Sequence, residues 1–248
     1  MDNTNYIALS RQMALWKQLD IISNNMANMN TVGYKGGDAV FTTYLAETEG
    51  GADNMVGNPL SFTQDYGVYK NFAEGMISST GNALDAAIQG DAFFAVETPN
   101  GEMYTRKGQF TLNENGAIVT PEGNYLLSEN GMPFFIAPGE SEINITESGE
   151  VMTENGSLGR IRIASFADNQ KLLKVADTLF SNTDGNTMIL NDGNYRVIHR
   201  SIEKSNVDPI SEMTKMIKVQ RSYEYVQQMI DEEHERLSNT IQAYSQLA

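Results

Sequence analysis

Two histidines, no cysteine and a scatter of carboxylates are the chemical resources of this 248-residue chain. His199 lies in the alternating run "NYRVIHR", a predicted strand, and His234 in the acidic helical run "DEEHER". Neither has a partner at the spacing a metal site needs. The missing cysteine excludes disulfides, thiolate metal sites and thiol nucleophiles. No Gly-x-Ser-x-Gly elbow, Gly-x-Gly-x-x-Gly turn or phosphate-binding Gly-Lys-Ser/Thr loop occurs. "FSNTDGN" imitates a calcium loop, but Phe180 stands at the first ligand position and Asn191 at the twelfth, so a turn explains it better. The pairs Glu140/Glu142 and Glu147/Glu150 would serve glycoside hydrolysis only if held about 5–10 Å apart across a cleft. In so acidic a chain they read as solvated charges. "NIT" at 144–146 is a glycosylation sequon, meaningful only in a eukaryotic secretory setting. The expectation is a non-enzyme, with no cofactor and no metal.

The charge balance says what such a chain avoids. Against 17 basic residues stand 32 acidic ones, net −15, a surface that repels nucleic acid and anionic lipid. Residues 1–45 sum to zero and residues 208–248 to −3, so 46–207 carries −12. No apolar run approaches the roughly 18 residues of a membrane span. No basic segment followed by an apolar stretch marks a cleaved signal peptide.

The elements that organise the chain lie at its ends. Residues from about Thr4 to about Met29 read as a helix in which Leu15, Leu19, Ile22, Met26 and Met29 recur at intervals of 4, 3, 4 and 3, a heptad-like seam. Leu9, Met13 and Trp16 form a second stripe beside it. At the other end, Asp208 is placed to cap a helix and Pro209 to open it. Met216, Val219, Tyr223, Val226, Ile230, Glu233, Leu237, Thr240, Tyr244 and Leu247 then alternate by 3 and 4. The two helices are expected to pair as a coiled-coil-like unit.

Between them the text turns to β. Turn signals recur every 8–12 residues, and Leu84–Gln89, Phe93–Thr98, Met103–Arg106, Phe110–Leu112, Ala117–Thr120 and Tyr125–Leu127 read as a meander, with Asn100-Gly101 at a hairpin turn. "ENGAIVTPEG" at 114–123 and "ESGEVMTENG" at 147–156 echo each other as two similar hairpins. The Gly-rich stretch 46–80 is either a flexible linker or an extended hairpin, with strand-like Leu60–Thr63 and Val68–Phe72. The expected fold is mixed α and β: long terminal helices (1–35 and 206–248), an extended linker or hairpin (36–80) and a central all-β domain of short antiparallel strands (81–205).

One segment carries more than periodicity. "ISNNMANMNTVGYK" places Asn24, Asn25, Asn28 and Asn30 on a helix end. Asparagine prefers caps and turns, which accounts for Asn30 and part of Asn28. Asn24, Asn25 and Asn28 fall opposite the seam, where uncharged amides suit burial against another subunit. This segment resembles the N-terminal signature of bacterial flagellar axial proteins, the rod and hook class, at Ser23, Asn25, Ala27, Asn28, Asn30, Thr31, Gly33, Tyr34 and Lys35. "GNALDAAIQGDAFFAVETPNGEMYTRKGQFTLNENGAIVT" resembles the β-domain of that family, and "SNVDPISEMTKMIKVQRSYE" its C-terminal helix entry. Ala92 departs from the family's usual second glycine after Asp91, which puts the local turn geometry in question.

The resemblance implies a structural subunit without substrate. It would be exported through the flagellar type III apparatus without a cleaved signal and polymerised with itself and with proximal and distal rod subunits. The product is a periplasm-crossing shaft that transmits torque, its helices forming the inner wall. Chain length and the opening "LSRQMALWKQLDIISNN" favour the proximal-rod type; the alternatives are a distal-rod or hook-type axial protein. A more remote alternative is a β-rich adhesion module with dimerising helices.

Overall fold

In the computed structural model the described residues are 2–46, 60–137, 139–140, 142–176, 178–183, 186, 188–190 and 195–245. Within the expected linker, 47–59 lies outside them, as do Leu247 of the C-terminal seam and Asp184 and Gly185 of the calcium-like turn. The chain divides into two compact units.

The first unit comprises residues 1–27, 37–70 and 208–248. Helix α1 spans Asp2–Ala27 and helix α2 spans Pro209–Ser245, the latter 37 residues and so about 56 Å long at 1.5 Å per residue. Asp208 caps α2 through its carboxylate, which accepts from the N–H groups of Ile210 and Ser211 at 3.3 Å each. Leu15, Ile22 and Val219 are buried together, with Leu19, Met216, Tyr223 and Val226 packed on them. Gln12 bonds Gln227 while Asn25 bonds Glu212, so the helices run antiparallel. Strands β1 (Gly37–Ala46) and β2 (Leu60–Lys70) pair antiparallel in the same unit, with a register shift between Val40 and Phe41. Within the Gly-rich stretch, Leu60–Lys70 is therefore one arm of a hairpin, while Ile77–Ser79 pairs with Ser201–Glu203 in the second unit.

The second unit comprises 28–36 and 71–207. Its central strand, Phe93–Thr98, pairs with Gly101–Thr105 on one edge and with Tyr125–Leu126 and Ile163–Phe166 on the other. Successive side chains enter opposite cores. Phe94 and Val96 join the larger cluster with Ile88, Phe110, Ile161 and Val197, and Phe93 and Ala95 join a second with Leu172 and Phe180. A strand buried on both faces reads as an unbroken apolar run, as "AFFAV" does. The first hairpin turns on Pro99-Asn100, with Gly101 at φ 105 opening the return strand.

The internal echo is also structural. Gly116 donates to Asn113 and Gly149 to Thr146, while the Asn113 and Thr146 side chains accept from Ala117 and Glu150. Ala92 is buried without a positive φ; the positive φ falls on Gly90, at 108.

Candidate functional site: the signature segment and the helix seam

The signature residues divide between the two units. In the helical unit, Asn25 on the last turn of α1 treats Gly37 as a strand partner would. Its Nδ2 donates to the Gly37 carbonyl at 2.8 Å and its Oδ1 accepts from the Gly37 N–H at 3.1 Å. The same Nδ2 donates to Glu212 Oε2 at 3.1 Å. Lys215 closes the arrangement, donating to Glu212 Oε1 at 2.8 Å and Asp38 Oδ1 at 2.9 Å. Burial opposes the Lys215 charge, but the hydrogen bonds to Glu212 and Asp38 outweigh it and raise its pKa. One neutral amide thus ties the end of α1, the start of β1 and the first turn of α2. A charged side chain there would need a counter-ion to repay its desolvation.

In the β-rich unit, residues 28–36 leave the helix through a turn in which Thr31 N–H donates to Asn28 C=O at 3.1 Å. Gly33 follows at φ 70, its N–H donating to Glu203 C=O at 2.8 Å. A Cβ there would stand 2.4 Å from Lys107 N and 2.5 Å from Arg106 C, so only glycine admits this approach. Tyr34 is buried, with Lys174 Nζ 4.1 Å from its ring centroid.

Lys35 ends in the interior of that unit. Its Nζ donates to Glu203 Oε1 at 2.6 Å and to Ala73 C=O at 2.7 Å. Glu203 also accepts from Gly75 N–H at 2.7 Å and, on its other oxygen, from Arg106 Nη1 at 3.5 Å. Arg106 is held by the carbonyls of Ile88 and Gly90 and stacks on Phe93 at 5.0 Å. Burial lowers the pKa of Lys35; Glu203 opposes that shift and Arg106 adds to it. Asn206 fastens the neighbouring loop, accepting from Gly36 N–H and donating to the carbonyls of Asn71 and Ala73. Glu203, Arg106, Glu212, Gly75 and Asn206 were invisible as partners in the sequence, because their roles depend on contacts 97 to 187 residues away.

The remaining signature positions are less engaged: Ser23, Ala27 and Asn30 are exposed, and Asn28 and Thr31 half-buried. The reading of Asn25 as part of an intersubunit face is corrected, since its amide is buried against its own chain. Along the seams, Leu15, Ile22 and Val219 are buried, while Leu19, Met26, Met216, Tyr223, Val226, Ile230 and Leu237 are half-buried. Met29 lies past the end of α1, in a turn.

Elsewhere, His199 Nε2 lies 2.8 Å from Ala83 C=O beside a cavity of about 430 Å³ lined by Glu142, Asn144 and Arg200 among others. Among the described residues no group of three or more His, Cys, Asp or Glu side chains is arranged to hold a metal. No described helix is long and apolar enough to cross a membrane.

Terminal helices packed antiparallel, a β-rich unit fastened by an internal ion cluster and polar residues spent on holding the chain together define a structural subunit. Comparison with known proteins agrees. The chain matches "Flagella basal body rod protein" over residues 6–35, "Flagellar hook protein FlgE/F/G D1 domain" over 87–153 and "Flagellar basal body rod FlgEFG protein C-terminal" over 199–243. It is 36% identical to the flagellar basal-body rod protein FlgF of Caulobacter vibrioides over 93% of both chains. It is 33% identical to FlgF of Mesorhizobium japonicum over 90% of both. To the rod protein FlgG of Agrobacterium fabrum it is 32% identical over 88% of this chain and 90% of the relative. The chain belongs to the flagellar basal-body rod protein family and is of the FlgF type. Its function is that of a structural subunit of the basal-body rod, not an enzyme.

Proposed function

We propose that this subunit occupies the proximal rod, is exported by the flagellar type III apparatus without a cleaved signal, and polymerises through its terminal helices into the torque-bearing shaft that crosses the periplasm. Its neighbours are further copies and the other proximal and distal rod subunits. The antiparallel helices form a coiled-coil-like pair on the inner wall. One observation carries the reading. Helix α1 buries only one of its two stripes: Tyr6, Leu9, Met13 and Trp16 stay 62%, 49%, 65% and 64% exposed. On a helical wheel this stripe lies about 150° from Leu15 and Ile22, so α2, which covers that seam, does not cover it. Heterologous contacts that do not close on themselves build helical tubes, and an apolar stripe left open on the monomer supplies such a contact.

The test is a Met13→Glu/Trp16→Glu chain expressed in a strain lacking its own copy. Both side chains are exposed, so the monomer keeps its thermal stability, but the chain is absent from isolated basal bodies and cells do not swim. Normal swimming with both glutamates in place would overturn the reading.

A further inference from the structure

Arg200 is the one residue other than glycine, among those described, whose φ is positive, at 56. It turns the chain from the strand Tyr195–His199 into the strand Ser201–Glu203. Main-chain bonds hold the turn. Arg200 N–H donates to Asp85 C=O at 2.8 Å, and Arg200 C=O accepts from the N–H groups of Thr80 and Gly81 at 2.8 and 3.3 Å. None of these bonds needs an arginine, and glycine would take the same conformation without the clash that a Cβ brings. Residues kept in sparsely populated backbone regions gather at functional sites. Arg200 lines the cavity of about 430 Å³, a volume within the range of pockets that hold small molecules.

The other lining residues are Ala83, Glu142, Ile143, Asn144 and His199, all in the β-rich unit. Ile143 belongs to the larger core cluster and gives the cavity an apolar wall. His199 is fixed by its Nε2. The Ala83 carbonyl only accepts, so Nε2 carries the proton between them and Nδ1 of the neutral ring is left as an acceptor. Glu142, Asn144 and Arg200 are exposed, and none of their side chains bonds or ion-pairs with another described residue. A free cation and a free carboxylate thus line one cavity without pairing.

Charge decides what fits there. Glu142 and Arg200 cancel, so the lining is neutral overall but dipolar. Phosphate or another simple anion would gain Arg200 but be repelled by Glu142, within a stretch (46–207) already net −12. A simple amine would meet the reverse. A ligand that carries both charges a few bonds apart satisfies both residues. We infer that this cavity binds a small zwitterion, an amino acid or a short peptide. Its carboxylate sits on Arg200, its ammonium on Glu142, and its remaining polar groups face Asn144 and His199. Such a ligand ties segment 142–144 to the turn at Arg200 and stabilises the β-rich unit by mass action.

The test titrates the full-length chain with L-alanine and with L-alanyl-L-alanine, followed by calorimetry and by amide NMR shifts. At least one probe should bind saturably, with shifts at Ala83, Glu142–Asn144 and His199–Arg200. Alanine binding at least as well as the dipeptide assigns a free amino acid; the dipeptide binding better assigns a peptide. Acetate and ethylamine, each with one of the two charges, should bind about fivefold more weakly, the worth of one exposed ion pair. Arg200→Gly should raise the melting temperature by relieving the backbone and yet abolish binding, so the loss is not one of folding. Glu142→Gln should erase the preference over acetate. No saturable shift from either zwitterion, acetate or inorganic phosphate binding as tightly as the better of them, or an Arg200→Gly chain that still binds would overturn the assignment.

Discussion

Lys35 Nζ stands 2.6 Å from Glu203 Oε1, and both side chains are only 1% exposed. The pair joins the last residue of the N-terminal signature to a strand residue 168 positions later. Arg106 stands on the other carboxylate oxygen, so one buried anion serves two buried cations. That arithmetic predicts an asymmetry. Glu203→Gln strands Lys35 and leaves Arg106 only the exposed Asp91, 3.7 Å away, and should cost about 3–5 kcal/mol, whereas Lys35→Met leaves Glu203 with Arg106 and Gly75 and should cost less, about 2–4 kcal/mol. Urea unfolding of the full chain checks the order; equal costs would mean Arg106 does not share the carboxylate.

The same cluster sets a pH dependence of uncommon sign. Burial holds the Lys35 pKa below its unfolded value, about 10.4 for lysine. Between the folded and unfolded values the unfolded chain binds more protons, so this group's contribution to stability rises with pH across that window. The stability gap between the unaltered chain and Lys35→Met should widen as pH rises from 8 towards about 10. A gap that narrows would show that Glu203 outweighs burial.

Asn25 bonds both backbone groups of Gly37 and the Glu212 carboxylate. Asn25→Ala should cost about 1–3 kcal/mol by leaving buried polar groups unpaired. Asn25→Asp should be worse at neutral pH, where two carboxylates face each other, and partly recover as pH falls to about 4, where one protonates. Thermal unfolding at the two pH values separates these outcomes; an Asp variant indifferent to pH would contradict the Glu212 contact.

Gly33 and Gly81 share a positive φ, 70 and 79, but only Gly33 has backbone where a Cβ would go. Gly81→Ala should cost about 1–2 kcal/mol from the conformation alone. Gly33→Ala should cost visibly more in the same melting experiment, because Lys107 N and Arg106 C must move. Equal costs would show that the Arg106–Lys107 backbone yields without penalty.

These positions explain what the sequence could and could not announce. Asp208-Pro209 and the intervals from Met216 to Val226 are local signals, and the structure forms α2 where they point. "AFFAV" carried the doubly buried strand for the same reason: its period is written in adjacent residues. Asn25 and Lys35 were conspicuous only as residue types. Nothing local pairs Lys35 with Glu203 or Asn25 with Glu212, since closure of the chain creates those contacts. An asparagine on the polar side of a helix therefore looked like a surface for another subunit, when its partner was a strand that starts twelve residues on.

The most direct measurement of the whole account is an electron-microscopy map of isolated basal bodies in which this chain is traced. The chain should lie in the proximal rod, with α1 and α2 antiparallel through Leu15, Ile22 and Val219, and with the Met13–Trp16 stripe covered by a neighbouring subunit. A chain found outside the rod, or in it with Trp16 open to solvent, would contradict the account.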